Sequence, residues 1–120
     1  MLLKVTIDGQ VFHIQVNNDP LASQLAALCP IEQKFRRSGN HEYYGRLTEA
    51  LSDTDSVKTT KAYAGELMYF GGWNCLSLLF ADADVAPYQL VKLGAFQEEI
   101  TNFLLEKGSD IKVKIEVEQN

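Results

Sequence analysis

The stretch between residues 65 and 96 limits the possible folds more than any other part of the chain. It reads GELMYFGGWNCLSLLFADADVAPYQLVKLGAF, with the only Trp, a Gly-Gly turn and the densest apolar runs. Within it, residues 75–80 are apolar on both alternating faces. A strand of this kind must be covered on both sides. We therefore expect three strands of a closed sheet here, one of them in a barrel wall that carries an added layer.

The N-terminus shows a clear hairpin pattern. Asp8-Gly9 separates two runs of alternating apolar residues, and this dipeptide favours a two-residue turn with positive φ. The apolar positions on one face are Leu3, Val5, Ile7, Phe12, Ile14 and Val16. This register places His13 opposite Lys4 on the outer face. We therefore interpret His13 as a solvent-side residue, not a ligand or a base.

Helix signals occur at two places among the strand patterns. Asp19-Pro20 opens the first helix and Pro30 stops it. The second helix is predicted to have Gln97-Glu98-Glu99, with its two acids, in its first turn and to end at Gly108. Residues 47–51 have the pattern of a short helical turn, and residues 52–62 form a long polar loop. Whether that loop closes over a site stays open.

These elements predict a mainly β fold. Two helices among seven or eight short strands indicate a closed antiparallel barrel capped by helices, in preference to a ferredoxin-like sandwich. The length of 120 residues is that of one domain, so residues 1–120 are expected to form a single domain.

Composition excludes several classes of partner. The net charge of −5 argues against nucleic acid. No run reaches the roughly 18 apolar residues of a membrane span, and MLLKVTIDG has the pattern of a strand, not of a signal peptide. Cys29 and Cys75 lie far apart without a CxxC motif. We expect two reduced thiols in a cytoplasmic protein.

No motif predicts a cofactor, a metal site or a hydrolase. There is no GxSxG or HExxH motif. The only two histidines, His13 and His41, have no local partner for a nucleophilic pair. Residues 81–84, ADAD, lack the spacing and closing Glu of a calcium loop.

Aromatic residues provide the main functional signal. A groove on the outer barrel wall is one interpretation, with Tyr43, Tyr44, Tyr69, Phe70, Trp73 and Tyr88 as its walls and Asn74 and Arg46 as polar groups. The other interpretation is that these rings are ordinary wall and core residues. The ligand-binding candidates are Tyr44, Arg46, Tyr69, Trp73, Asn74 and Tyr88.

The chain resembles the cyclophilin-like family of small bacterial and archaeal proteins of unknown function. The resemblance rests on Gly65-Glu66, Tyr69, Trp73-Asn74, the apolar strand 76–80, Asp82 and Leu90-Val91-Lys92-Leu93-Gly94, and extends more weakly over most of the chain. It implies an eight-stranded cyclophilin-type barrel capped by two helices. The chain departs from the family pattern at Gly71-Gly72, where relatives often have Pro-Pro, and at Asn74, where they have Gly.

True cyclophilins isomerise the peptide bond before proline with an Arg on an early strand. The Phe-His-Arg signature of that strand is absent here, and Leu90 stands where those enzymes have a His. Arg36 and Arg37 are the nearest substitutes on the third strand. We therefore predict a binding module for a small molecule or extended peptide that uses the aromatic groove, without cofactor. The alternative is a prolyl isomerase that uses Arg36 or Arg37. Monomer and homodimer both stay open.

Overall fold

The computed structural model describes residues 1–118, and within these the chain forms ten strands and two helices. In chain order they are β1 (Leu2–Ile7), β2 (Gln10–Val16), α1 (Pro20–Leu28), β3 (Ile31–Ser38), β4 (Glu42–Arg46), β5 (Lys61–Ala62), β6 (Glu66–Phe70), β7 (Cys75–Leu79), β8 (Ala83–Asp84), β9 (Val91–Phe96), α2 (Thr101–Glu106) and β10 (Ile111–Val117).

Eight of these strands close into an antiparallel barrel. Their order around the barrel is β1-β10-β3-β4-β7-β6-β9-β2, and β5 and β8 pair separately. Closure removes the free edges of an open sheet. The predicted closed eight-stranded barrel with two helices is confirmed. Neither helix in residues 1–118 is long and apolar enough to cross a bilayer.

The N-terminal hairpin has the predicted register. Val5 pairs with Phe12 and Lys4 with His13, and Asp8 and Gly9 both have positive φ, 47° and 88°. The six apolar residues predicted to share one face, Leu3, Val5, Ile7, Phe12, Ile14 and Val16, all belong to the barrel core. His13 lies on the outer side, where its Nδ1 is 2.7 Å from Glu98 Oε2.

The first helix begins as predicted, and the second begins later than predicted. The Asp19 side chain accepts a hydrogen bond from Leu21 N at 2.8 Å and caps α1. Gln97, Glu98 and Glu99 precede α2 instead of forming its first turn, so that prediction is wrong. The reason is tertiary: Gln97 N donates to His13 O at 2.8 Å, and the Glu98 carboxylate accepts from His13 N.

Residues 47–51 do not form the predicted helical turn. Leu47 N donates to Asn74 O at 2.9 Å, and Leu51 N donates to Asn74 Oδ1 at 3.4 Å. Asn74 thus holds this segment in an irregular, non-helical path. An apolar pair at helical spacing could not reveal this competing contact.

The predicted added layer on the barrel wall is confirmed. β5 and β8 form a two-stranded sheet outside the barrel. Under it lies a second, small apolar cluster made of Ala62, Met68, Leu79 and Leu90, with Phe70 and Val85 packed against it. Met68 and Leu79 belong to the outer face of the barrel wall, which explains why β6 and β7 are apolar on both faces.

Candidate functional site

The candidate site is a hollow of about 220 Å³ on the outer wall of the barrel, beside this added layer. We call it the aromatic groove. Its lining residues are Ser38, Glu42, Tyr44, Phe70, Trp73, Cys75, Ser77, Val85, Tyr88 and Leu90. They come from β3, β4, β6, β7, the turn after β6 and the segment after β8.

Strand alternation decides which side chains reach the aromatic groove. Tyr44 pairs with Ser77 across β4 and β7, whereas Tyr43 pairs with Leu78. Successive residues point to opposite faces of a sheet, so Tyr44 and Ser77 face outward together. Tyr43 is fully buried in the barrel core, where its hydroxyl donates to Lys107 O at 2.8 Å. By the same rule Phe70 faces the groove and Tyr69 faces the core.

The four rings of the groove meet at steep angles. Trp73 lies 6.5 Å from Tyr44 and 6.0 Å from Phe70, with interplanar angles of 57° and 60°. Phe70 lies 5.7 Å from Tyr88 at 74°. Trp73 and Tyr88 are 59% and 62% exposed. Inclined, partly exposed rings of this kind leave aromatic surface accessible to a ligand.

The Gly-Gly turn makes room for one of these rings. A methyl group at Gly72 would approach the Phe70 ring to 2.6 Å. The chain has Gly71-Gly72 at this turn, where relatives often have Pro-Pro, and the absence of a side chain at Gly72 lets the Phe70 ring pack closely against the backbone. The turn thus helps to set the shape of the groove.

Polar groups lie between the aromatic walls. Glu42, Ser77 and Cys75 line the groove, and Ser77 and Cys75 are buried. Burial raises the pKa of the Glu42 carboxyl, although the neighbouring His41 and a hydrogen bond from Ser77 oppose this shift. Burial also raises the pKa of the Cys75 thiol to about 11, and Glu42 adds to the effect while Arg46 opposes it.

We expect Cys75 to be chemically inert in the folded protein. With a pKa of about 11, its thiolate fraction at pH 7.5 is about 300-fold smaller than that of a free cysteine. The pKa of Cys29 is also raised, by burial and by Glu116. Alkylation with iodoacetamide at pH 7.5, followed by peptide mass mapping, should give slow modification at both sites.

Unfolding in guanidinium provides the control, because both thiols should then react at the rate of a free cysteine. Rapid modification of Cys75 in the native protein would contradict the enclosed environment described for this side of the groove.

Three of the six predicted ligand-binding residues lie together. Tyr44, Trp73 and Tyr88 line the aromatic groove. Tyr69 is 1% exposed and lies inside the barrel. Arg46 lines an adjacent hollow. Tyr69 and Arg46 therefore lie outside the groove to which the sequence-based interpretation assigned them.

Asn74 acts within the fold. Its side chain donates to Leu47 O at 3.3 Å and to Glu49 O at 2.9 Å. Its Oδ1 accepts from Leu51 N and from the Tyr69 hydroxyl. These contacts use the hydrogen-bonding capacity of the amide, so Asn74 has little left to offer a ligand.

The two arginines predicted as alternative catalytic residues lie apart. Arg36 is exposed on the outer face, pairs with Tyr44 across β3 and β4, and lines an adjacent hollow of about 420 Å³ together with Arg46. Arg37 packs toward α2: it donates to Leu105 O at 3.2 Å, and its guanidinium lies 4.6 Å from the Phe80 ring centroid. Only Arg36 lies beside a ring of the groove.

Several residues that line the groove are absent from the ligand-binding candidates predicted from the sequence, and Phe70 is one of them. Glu42, Ser77 and Cys75 are others. Alternation offered a usable signal: Glu42 is two residues from Tyr44, and Cys75 two from Ser77, so each pair shares a face. Alternation along a strand does not indicate which strands are neighbours in the barrel.

The segment predicted as a long polar loop, residues 52–62, is not a loop throughout, because its last two residues form β5 (Lys61–Ala62). It supports the segment that lines one side of the groove. No residue between 52 and 62, all of them described, lines the hollow. Thr59 and Leu90 exchange backbone hydrogen bonds of 2.8 and 2.7 Å, and Val85 N donates to Thr60 O at 2.8 Å. The loop therefore holds the segment that carries Val85, Tyr88 and Leu90.

Other hollows offer less specific chemistry. One of about 440 Å³ lies between the end of α1, the start of β3 and residues 47–49, and no aromatic ring lines it. Within residues 1–118, no three His, Cys, Asp or Glu side chains are grouped so that they could hold a metal ion. The aromatic groove is thus the site with the most distinctive set of side chains.

Together, the fold and this groove define a class of protein: a helix-capped, closed eight-stranded antiparallel barrel with an aromatic hollow on its outer wall. The sequence profile of the cyclophilin-like family matches residues 5–116. The chain belongs to the cyclophilin-like family, and the resemblance identified from the sequence is confirmed. A comparison with curated proteins finds none that matches.

Several residues that carry the resemblance have roles in the fold. Gly65 adopts a φ of 89°. Glu66 accepts from Tyr63 N at 2.7 Å and pairs with Lys92 at 2.9 Å. Tyr69 faces the core. Membership of the family therefore supports mainly the barrel fold, and the function must be argued from the groove.

Proposed function

We propose that this protein is a binding module that holds a small molecule or an extended peptide segment in the aromatic groove. The observation that carries the proposal is the convergence of Tyr44, Phe70, Trp73 and Tyr88 on one outward hollow. Trp73 and Tyr88 keep more than half of their surface exposed. Exposed apolar clusters rimmed by polar groups are typical of binding sites.

We expect Trp73→Ala to weaken ligand binding and to leave the fold intact. Loss of a central aromatic contact typically costs about 2 kcal/mol of binding free energy, or about 30-fold in affinity. Because Trp73 is 59% exposed, the free energy of unfolding should change by less than about 1 kcal/mol. Binding is measured by NMR titration with a fragment library and a panel of X-Pro peptides, and stability by urea denaturation.

Tyr63→Ala is the matched control. Tyr63 is 51% exposed and does not line the groove, so this variant should bind each ligand like the wild type. Unchanged binding in Trp73→Ala would contradict the proposal. An unfolded Trp73→Ala variant would assign the ring to the structure instead.

A second candidate function is prolyl isomerisation with Arg36 as the hydrogen-bond donor. It is favoured by the position of Arg36 across from Tyr44 on the outer face. Rotation about an X-Pro bond has a barrier of about 20 kcal/mol, which a donor held beside an apolar pocket lowers. The test is an isomerisation assay on X-Pro peptides with Arg36→Ala and, as control, Lys34→Ala from the same hollow. Activity lost only in Arg36→Ala would support this function, and no acceleration by the wild type would exclude it.

A further inference from the structure

We propose that the aromatic groove takes a small, free organic cation, bound through an alkylated ammonium group such as that of choline. This inference rests on the proposed binding function and names its ligand class. It is carried by two features of the groove that occur together. One is the set of inclined ring faces, and the other is a single half-buried carboxylate.

The rings form the part of the site that suits an alkylated ammonium group. Phe70 contacts both Trp73 and Tyr88 at interplanar angles of 60° and 74°, and Tyr44 closes the set at 57° to Trp73. The faces of aromatic rings are negative, so a cation placed against them is attracted. Methyl groups on the ammonium add apolar contact and need no hydrogen-bond acceptors, whereas each N–H of an unalkylated ammonium would need one.

Glu42 provides the charge. Its side chain is only 19% exposed, and the nearest basic nitrogen among the described residues is His41 Nε2, at 3.7 Å from the carboxylate. This distance is beyond that of a hydrogen bond. His41 is a cation only when it is protonated, and a carboxylate taken from water beside one imidazole at this distance keeps a desolvation cost. A bound organic cation would offset this cost, whereas an anionic ligand would add repulsion.

Among residues 1–118, no basic side chain lines the groove. Lys34, Arg36 and Arg46 line the adjacent hollow instead, and all three are exposed. Solvent and salt screen exposed charges more strongly than buried ones. Glu42 therefore dominates the charge that a ligand inside the groove would meet.

The volume favours a small molecule over a macromolecule. The groove encloses about 220 Å³, below the roughly 300–1,000 Å³ of pockets for drug-sized ligands. A compact ammonium head with a short substituent fits a hollow of this size.

The test compares choline with its uncharged carbon isostere, 3,3-dimethyl-1-butanol. Fluorescence of Trp73, the only Trp in the chain, reports binding, with calorimetry as an independent readout and ionic strength matched with sodium chloride. We expect choline to bind at least about tenfold more tightly than the isostere. In Glu42→Gln this preference should fall to about threefold or less, while binding of the isostere stays unchanged.

Glu116→Gln is the matched control, because Glu116 lies on β10, two strands away from β4, and pairs with Lys114. It should keep the wild-type preference. Equal or tighter binding of the isostere would overturn the cation assignment while leaving the binding function standing. A choline preference that survives Glu42→Gln would also overturn it.

A further arm distinguishes the source of the cation. A peptide carrying trimethyllysine should bind no more tightly than choline, and tighter binding of the peptide would overturn assignment to a free molecule. If no cation, isostere, fragment or peptide binds at the groove, both this inference and the proposed binding function fail.

Discussion

Gly94→Ala should lower the free energy of unfolding by about 3 kcal/mol or more, the upper range for overpacking a well-packed site. A Cβ at this position would lie 2.3 Å from Gln15 O and 2.9 Å from Ile14 Cγ2. The first contact is with backbone, which cannot move aside as a flexible side chain can. Gly94 pairs with Val16 on one side and with Leu67 on the other. Because the barrel is closed, a shift of β9 away from β2 presses it against β6.

Urea denaturation followed by circular dichroism measures this effect. Gly108→Ala is the control, since nothing lies within 4 Å of a Cβ at Gly108, and its unfolding free energy should change by less than about 1 kcal/mol. If Gly94→Ala proves as stable as the wild type, the close approach of β9 to β2 cannot be as described.

Asn74→Ala should be the second most damaging of the substitutions considered, at about 3 kcal/mol. Two effects add. The variant loses side-chain hydrogen bonds to residues 47, 49 and 51 and to Tyr69. It also places alanine at a φ of 51°, a left-handed conformation that asparagine tolerates better than alanine because its side chain can hydrogen-bond locally.

Asn74→Gly separates the two effects. Glycine adopts positive φ without steric cost, so Asn74→Gly should be about 1 kcal/mol more stable than Asn74→Ala and still less stable than the wild type. Thermal and urea unfolding of the three proteins measures both steps. If Gly and Ala variants are equally destabilised, backbone strain does not contribute. If neither is destabilised, the side chain does not hold residues 47–51.

Substitution of Asn74 also affects the groove. Asn74 follows Trp73 directly in the turn between β6 and β7. Loosening this turn should weaken ligand binding indirectly, although Asn74 itself does not line the hollow. The residue therefore acts as a positioning residue, a role different from the ligand contact expected from its polarity.

Local sequence patterns were sufficient for much of the barrel. Asp8-Gly9 between alternating runs predicted the hairpin with its register, because a two-residue turn leaves few ways to pair its strands. Asp19 and Pro20 marked the start of α1. Apolar residues on both faces of 75–80 predicted an additional layer, since such a strand cannot face water. In each case the determining contacts lie within a few residues, or follow from burial alone.

The candidate site was only partly accessible to the same reasoning. The aromatic residues were recognised, but Tyr43 and Tyr44 were weighed together as walls, as were Tyr69 and Phe70. Alternation along a strand allows only one residue of each pair to face the groove. Applied strictly, it would have separated the pairs, but it could not tell which member faces outward in a strand that is apolar on both sides.

The start of α2, the non-helical path of residues 47–51 and the groove itself depended on contacts between distant segments. His13 and Glu98 are 85 residues apart, and Leu51 and Asn74 are 23 apart. Glu42 and Ser77 become neighbours only because β4 pairs with β7. Turns, helix caps and the alternation of apolar residues depend on interactions between residues close in the chain, so a sequence displays them directly. Neighbour relations between strands that are distant in the sequence are set by closure of the whole barrel, which no local pattern encodes.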